Sequence, residues 1–209
     1  SDSKCCTAFN HHLDPQGVNW RTNLYYLETT DFGESFQNAA GEKVTLPLTE
    51  PGNPALIYDY ASEDLKIYLK DIRLDSNDRP VILYLVSRGY EAGPENGPRT
   101  LTTARWTGTE WVIHPVTESD SNYDTGSLYL ETDNTWRIIA PTESGPQPCN
   151  PGGEMAMWIS PDQGKSWEKF KDLTKNSPRN HTYARSPVNA NPGFYSLWAD
   201  GHCRKPSKS

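Results

Sequence analysis

Short stretches of alternating apolar and polar residues run through this chain, broken at close spacing by Gly, Pro, Asn and Asp. Period-2 stretches bounded by turn formers predict β-strands joined by hairpins. The clearest series covers residues 66–116. Ile67–Leu74 is a predicted strand, and Asp75–Arg79 is its turn. Pro80–Arg88, rich in Val, Ile, Leu and Tyr, is the next strand, and a Gly/Pro loop at 89–98 follows it. Arg99–Trp106 and Trp111–Val116 are joined by the tight turn Thr107–Glu110. Four antiparallel strands in about 50 residues match one blade of a β-propeller, and no helix is expected within them.

The series then repeats. Asn122–Glu131, Thr135–Glu143, Glu154–Ile159 and Trp167–Leu173 predict a second set of four strands. The ends predict only half sets: Thr22–Thr29 with Phe36–Leu48, and His181–Asn189 with Phe194–Ala199. The expected fold is therefore all-β, with about three blades' worth of strands where a closed ring takes typically 4–8. The expected divisions are a half blade with an insert at 1–60, blades at 61–117 and 118–175, and a half blade at 176–209. The chain thus predicts part of a six- or seven-bladed propeller, with open edges able to self-associate.

One turn motif occurs twice, as Thr29-Thr-Asp-Phe-Gly-Glu-Ser-Phe36 and as Ser160-Pro-Asp-Gln-Gly-Lys-Ser-Trp167. The short carboxylates of Asp31 and Asp162 can accept turn N–H groups. Gly33 and Gly164 supply a positive-φ corner at no steric cost. Phe36 and Trp167 open the following strand, and Trp111 is expected at the equivalent place after a degenerate turn. These six motif residues carry a structural role.

Composition supports the strand reading: Pro (17), Gly (15), Tyr (11) and Trp (7) are plentiful while Met (2) is scarce. A net charge of −7 without a long basic run argues against nucleic acid and anionic membranes as partners. No stretch approaches the ~20 apolar residues of a membrane span. The N-terminal Ser1-Asp-Ser-Lys4 shows no signal peptide, as in a mature or cut chain, and the expected location is secreted or periplasmic. Cys5, Cys6, Cys149 and Cys203 lack zinc-type spacing, so neither metal nor cofactor is expected. A disulfide from Cys5 or Cys6 to Cys149 or Cys203 and unpaired thiols are equally open.

The Asp turns resemble the bacterial neuraminidase (BNR, or Asp-box) repeat. Arg21-Thr-Asn-Leu-Tyr-Tyr, Asn122-Tyr-Asp-Thr-Gly-Ser-Leu-Tyr, Pro151-Gly-Gly-Glu-Met-Ala-Met-Trp and Arg179-Asn-His-Thr-Tyr-Ala-Arg-Ser-Pro-Val-Asn-Ala are similar to BNR-repeat proteins of carbohydrate-degrading bacteria. That sialidase-like group is related to propeller polysaccharide lyases. The resemblance covers nearly the whole chain but only the middle-to-C-terminal part of the family's propeller. It implies a carbohydrate-active protein that binds or acts on an acidic, uronate-containing poly- or oligosaccharide. A lyase, a sialidase-like glycoside hydrolase and a non-catalytic glycan-binding or structural module are its alternatives.

Candidate residues follow from strand periodicity. His181, Tyr183 and Arg185 share one face of a predicted strand. They offer the base, the acid and the cation that a uronate lyase uses, or else a packed polar network. The resemblance adds His11 and Arg21 as catalytic candidates, since related lyases place a His on this face and an Arg at a strand start. A solvated loop His is the alternative. Substrate-binding candidates are Asn122, Tyr123, Asp124, Glu143, Glu154 and Arg99. A sialidase would draw on Arg21, Arg99 and Arg185. A two-carboxylate hydrolase would pair Glu143 with Glu154 or Asp124.

Overall fold

The computed structural model describes residues 4–12, 17–148, 150–188, 193–202 and 205. Strand β7 (Pro80–Ser87) shows how the molecule is assembled, because its apolar run is nearly continuous and almost wholly buried. Ile82 and Tyr84 face one cluster with Leu24, Tyr26 and Ile67. Val81 and Leu83 face another with Leu101, Leu128, Trp136 and Ile138. A strand sandwiched between two neighbouring sheets loses the polar half of its alternation.

The sheet that contains it runs β6 (Lys66–Leu74), β7, β8 (Arg99–Trp106) and β9 (Trp111–Ser119), all antiparallel neighbours. A second four-stranded antiparallel sheet follows: β10 (Ser127–Leu130), β11 (Trp136–Glu143), β12 (Glu154–Ser160) and β13 (Glu168–Asp172). The C-terminal pair is β14 (His181–Arg185) and β15 (Leu197–Asp200). The expected opening strand Asn122–Glu131 is shorter, because residues 122–126 form a turn tied down by Asp124. One 3-10 turn, Pro94–Asn96, stands in the loop after β7 where no helix was expected.

The N-terminal sheet is larger than the expected half unit. Strand β1 (Cys5–His12) pairs along the whole of β2 (Arg21–Thr29). The second expected strand, Phe36–Leu48, is broken into β3 (Phe36–Gln37) and β4 (Lys43–Val44) by a hairpin in which Asn38 accepts from Ala40 and Glu42 backbone N–H groups. Strand β5 (Leu56–Tyr58) returns to pair with β2. Leu48, Ala55 and Leu56 cover Tyr25 and Leu27, so β2 is buried on both faces. The mixed polar pattern of Cys5-Cys-Thr-Ala-Phe-Asn-His-His concealed β1, since an outer strand needs few apolar residues.

The two Asp turns are the same object. Asp31 accepts from Thr29 Oγ1 at 2.7 Å, Ser35 N–H at 3.0 Å and Ser35 Oγ at 2.5 Å. Asp162 accepts from Ser160 Oγ at 2.7 Å, Ser166 N–H at 3.0 Å and Ser166 Oγ at 2.7 Å. For Asp31 the Ser35 hydrogen bonds, and for Asp162 the same set working against its burial, bring the carboxyl down to about 2. Gly164 has φ +82°, and a Cβ there would stand 2.8 Å from the Trp136 ring. Cys5 and Cys6 are free thiols in β1, whereas Cys149 and Cys203 lie outside the described residues.

Candidate functional site

Along β6 the residues Lys66, Tyr68 and Lys70 recur at period 2, opposite the apolar Ile67 and Leu69 that enter the core. Arg21, at the start of β2, stands with its guanidinium 5.3 Å from the Tyr68 ring centre. Lys70 Nζ lies 5.9 Å from the same ring. Arg185 reaches in from the end of β14 and donates to the Lys70 carbonyl at 3.3 Å. The Tyr123 ring meets Tyr68 edge-on at 5.6 Å, and the Tyr68 hydroxyl donates to the Asn19 carbonyl at 3.4 Å.

These three cations reach no carboxylate among the described residues. Arg21 donates to the Val18 carbonyl at 3.0 Å, and Lys70 donates to the Asn122 carbonyl at 2.6 Å. Burial lowers the Lys70 ammonium to about 7, Asp124 opposes the shift, and Arg21 and Arg185 deepen it. Burial also pushes the Tyr68 phenol up to about 12. The cluster is therefore a group of three cations beside the buried ring of Tyr68, and burial brings one of them, Lys70, to titrate near neutrality.

The residues around it hold loops in place. Asp124 is buried and accepts from Ser119 Oγ at 2.5 Å, Ser121 N–H at 3.2 Å and Gly152 N–H at 2.6 Å. Burial outweighs these bonds and raises its carboxyl to about 7. Asn122 accepts from Arg99 Nε at 3.0 Å and donates to the Gly89 carbonyl at 2.7 Å. Arg99 spends its remaining donors on the Gly93 and Glu91 carbonyls. One unit later Asn180 repeats the device, exchanging hydrogen bonds with Gln147 and donating to the Gly152 carbonyl. Asn122, Asp124 and Arg99 thus stand behind the cluster, while the half-exposed Tyr123 fronts it.

The predicted trio on β14 does not converge. Burial alternates as the spacing requires, with Thr182 and Ala184 inward. His181, however, turns to Ser177, with Nε2 2.8 Å from Oγ, and its ring stands edge-on to Trp198. Tyr183 occupies a left-handed backbone conformation at φ 57° beside a register shift and is 57% exposed. Only Arg185 joins the cluster. The bulge re-aims Tyr183, which period-2 counting cannot anticipate.

Ser177 links His181 to Glu154, whose carboxylate accepts from Ser177 N–H at 2.6 Å, Ser177 Oγ at 2.8 Å and Thr174 Oγ1. Burial alone would raise Glu154, but these bonds hold it below the usual carboxylate range. Glu143 opposes Glu154 in register yet pairs with Lys169 at 3.1 Å, so the two carboxylates belong to separate networks. His11 lines a cavity of about 220 Å³ with Phe9, Tyr25 and Glu50 on the covered side of the first sheet, and its buried Nδ1 has no hydrogen-bond partner among the described residues. It does not meet Arg21.

Tyr68 and Lys70 were missed by sequence reasoning. Their signal was polar residues at period 2 opposite the apolar Ile67 and Leu69, in the half of β6 before its register shift. Among the described residues no group of three His, Cys, Asp or Glu could hold a metal, and no helix is long and apolar enough to cross a membrane.

No protein-family model and no curated protein matches the sequence. Solved structures do match. A structure of the polysaccharide lyase family PL25, an ulvan lyase bound to -[GlcA(1-4)Rha3S]-, superposes with a TM-score of 0.74 at 18% identity, covering 95% of this chain and 46% of that one. A second PL25 ulvan lyase structure gives 0.70 at 18% identity over 94% of this chain and 49% of that one. The polysaccharide lyase Uly1 gives 0.61 at 13% identity, over 96% and 41% of the two chains. At this identity the likeness is one of fold. The chain spans about half the length of these structures.

Proposed function

We propose that this chain is a section of a β-propeller of the BNR-repeat type that binds an acidic, uronate-containing polysaccharide on the face bearing Arg21, Tyr68, Lys70 and Arg185. The observation that carries the reading is a set of three cations, Arg21 and Lys70 beside the Tyr68 ring and Arg185 on the Lys70 carbonyl, with no ion-paired carboxylate among the described residues. Uncompensated cations at a partly buried site call for an anion, and a guanidinium matches a carboxylate in shape. Tyr123, 39% exposed, adds aromatic surface suited to a sugar ring, with the buried Tyr68 ring behind it. The likeness in fold to ulvan lyases, one of them bound to a glucuronate-containing disaccharide unit, supports this choice of anion. Such a ligand fits a secreted or periplasmic protein.

β-Elimination by the whole protein is the second reading. Lys70, titrating near neutrality beside Tyr68, favours it, because a lyase needs one group to take the C5 proton and another to give a proton to the leaving oxygen. Titration calorimetry with an ulvan oligosaccharide and a neutral oligosaccharide of equal length tests the binding reading. Binding of the acidic ligand alone is expected. Equal binding of both, or of neither, would overturn it. Growth of the unsaturated-uronate absorbance on incubation would add the lyase activity.

A further inference from the structure

We propose that Lys70 is the residue by which this face selects an acidic sugar over a neutral one, and that it takes up a proton when the acidic sugar binds. The inference rests on the acidic-glycan reading of the site.

Each element packed around Lys70 contributes a group to its field. From β2 comes Arg21, and from β14 comes Arg185, both cations. Its own strand supplies Tyr68, and the turn before β10 supplies Tyr123 and the neutral carbonyl of Asn122 that accepts from its ammonium. The carboxylate in this neighbourhood is Asp124, whose oxygens are already occupied by Ser119, Ser121 and Gly152. Lys70 therefore faces two like charges and one acid committed elsewhere. Burial is the first cause of its lowering to about 7; Asp124 opposes that shift, and Arg21 and Arg185 add to it.

An incoming carboxylate supplies the counter-charge this arrangement lacks. It stabilises the ammonium over the amine, so the pKa of Lys70 rises on binding and a proton moves from solvent to Nζ. Arg21 and Arg185 cannot respond in this way because a guanidinium is charged at every relevant pH. A neutral sugar offers no counter-charge and must displace the water that solvates three cations. Selectivity for the acid is thus largest where Lys70 is charged, below about pH 7 in the free protein, and declines as pH rises through that value. The decline approaches about tenfold in affinity per pH unit until the pKa of the liganded state is passed.

Calorimetry with an ulvan oligosaccharide in phosphate and in Tris at pH 7.5 reads the proton count from the dependence of heat on buffer. The wild-type chain is expected to take up roughly half a proton or more. Lys70→Arg, charged throughout, should bind without uptake and with an affinity that is flat between pH 6.5 and 8.5. Lys70→Met should bind about tenfold more weakly at pH 6.5, also without uptake. Asp124→Asn should retain the uptake. If the wild type binds with no buffer dependence, Lys70 does not carry this role, while the glycan reading stands. Uptake that persists in Lys70→Arg and vanishes in Asp124→Asn would move the proton to Asp124 and overturn the inference. Absence of binding by the wild type would remove both the site reading and this inference with it.

Discussion

Two buried carboxylates, Asp124 before β10 and Glu154 at the start of β12, each take three hydrogen bonds from neighbouring loops, yet their environments differ in sign. Asp124 lies deep, beside Asp120, and burial raises it to about 7. Glu154 sits nearer solvent, where hydrogen bonding wins over burial and lowers it. Their partners diverge as well. Asp124 holds the turn whose Asn122 carbonyl receives Lys70, within a group of uncompensated cations. Glu154 holds Ser177, which occupies His181. Donor number alone therefore does not set a carboxylate's behaviour; depth and the surrounding charge decide it. The first network supports a face open to an anion, and the second closes on itself.

The strongest perturbation of this contrast is removal of the carboxylates. Asp124→Ala strands buried N–H groups of Ser121 and Gly152, at a cost of about 2–4 kcal/mol. It should lower Tm and weaken binding of an ulvan oligosaccharide. Glu154→Ala should cost less, about 1–2 kcal/mol, and leave binding unchanged, since its network does not reach the cluster. Thermal melts and calorimetry on both variants check this; equal loss of binding would show that the networks act as one.

Next in size is Arg185→Ala. It should weaken the acidic ligand by about 1.5–3 kcal/mol, the scale of a charged hydrogen bond, without changing Tm. His181→Ala, four residues away on the same strand, should leave affinity unaltered. A reversed pattern would restore the β14 trio as the site.

The pH dependence of stability should run in opposite directions at the two carboxylates. Asp124 has a raised folded pKa, so its contribution is present below its unfolded value and is lost as pH rises toward about 7. Glu154 has a lowered folded pKa, so its contribution is present above its unfolded value and is lost as pH falls. Comparing melts from pH 3 to 8, Asp124→Asn should flatten the upper part of the profile and Glu154→Gln the acid end.

Smallest is Tyr183→Gly. The left-handed φ of 57° strains a tyrosine, but Gly adds unfolded-state entropy, so the two terms cancel to within about 0.5 kcal/mol. Binding should not change. A large loss of affinity would mean that Tyr183 meets the ligand despite facing solvent.

Much of the architecture could be read from local pattern. Arg99–Trp106 was bounded to the residue, and strands 66–74, 80–87, 136–143 and 154–160 lay within a residue or so of their predicted ends. Period-2 burial against two neighbours leaves an unmistakable apolar run. Strand β1 escaped because its pairing partner, not its composition, makes it a strand. At the site, Arg21 and Arg185 were legible as loop-face cations, and Tyr123 as a neighbour. His181 and Tyr183 do not meet Arg185 as their spacing predicts, since a bulge and a hydroxyl partner four residues earlier redirect them.

By itself the sequence determined the strands of the two four-stranded sheets and the two Asp turns with their following aromatics. Each of these depends on neighbours within a few residues, through alternation, positive-φ glycines and carboxylates that cap their own turns. Tertiary structure alone decided that Arg21, Tyr68, Lys70, Asp124 and Arg185 share one place. The physical reason is that charge acts through space: Arg21 from β2 and Arg185 from β14 bear on the protonation of Lys70 in β6 only once sheet stacking has brought them together.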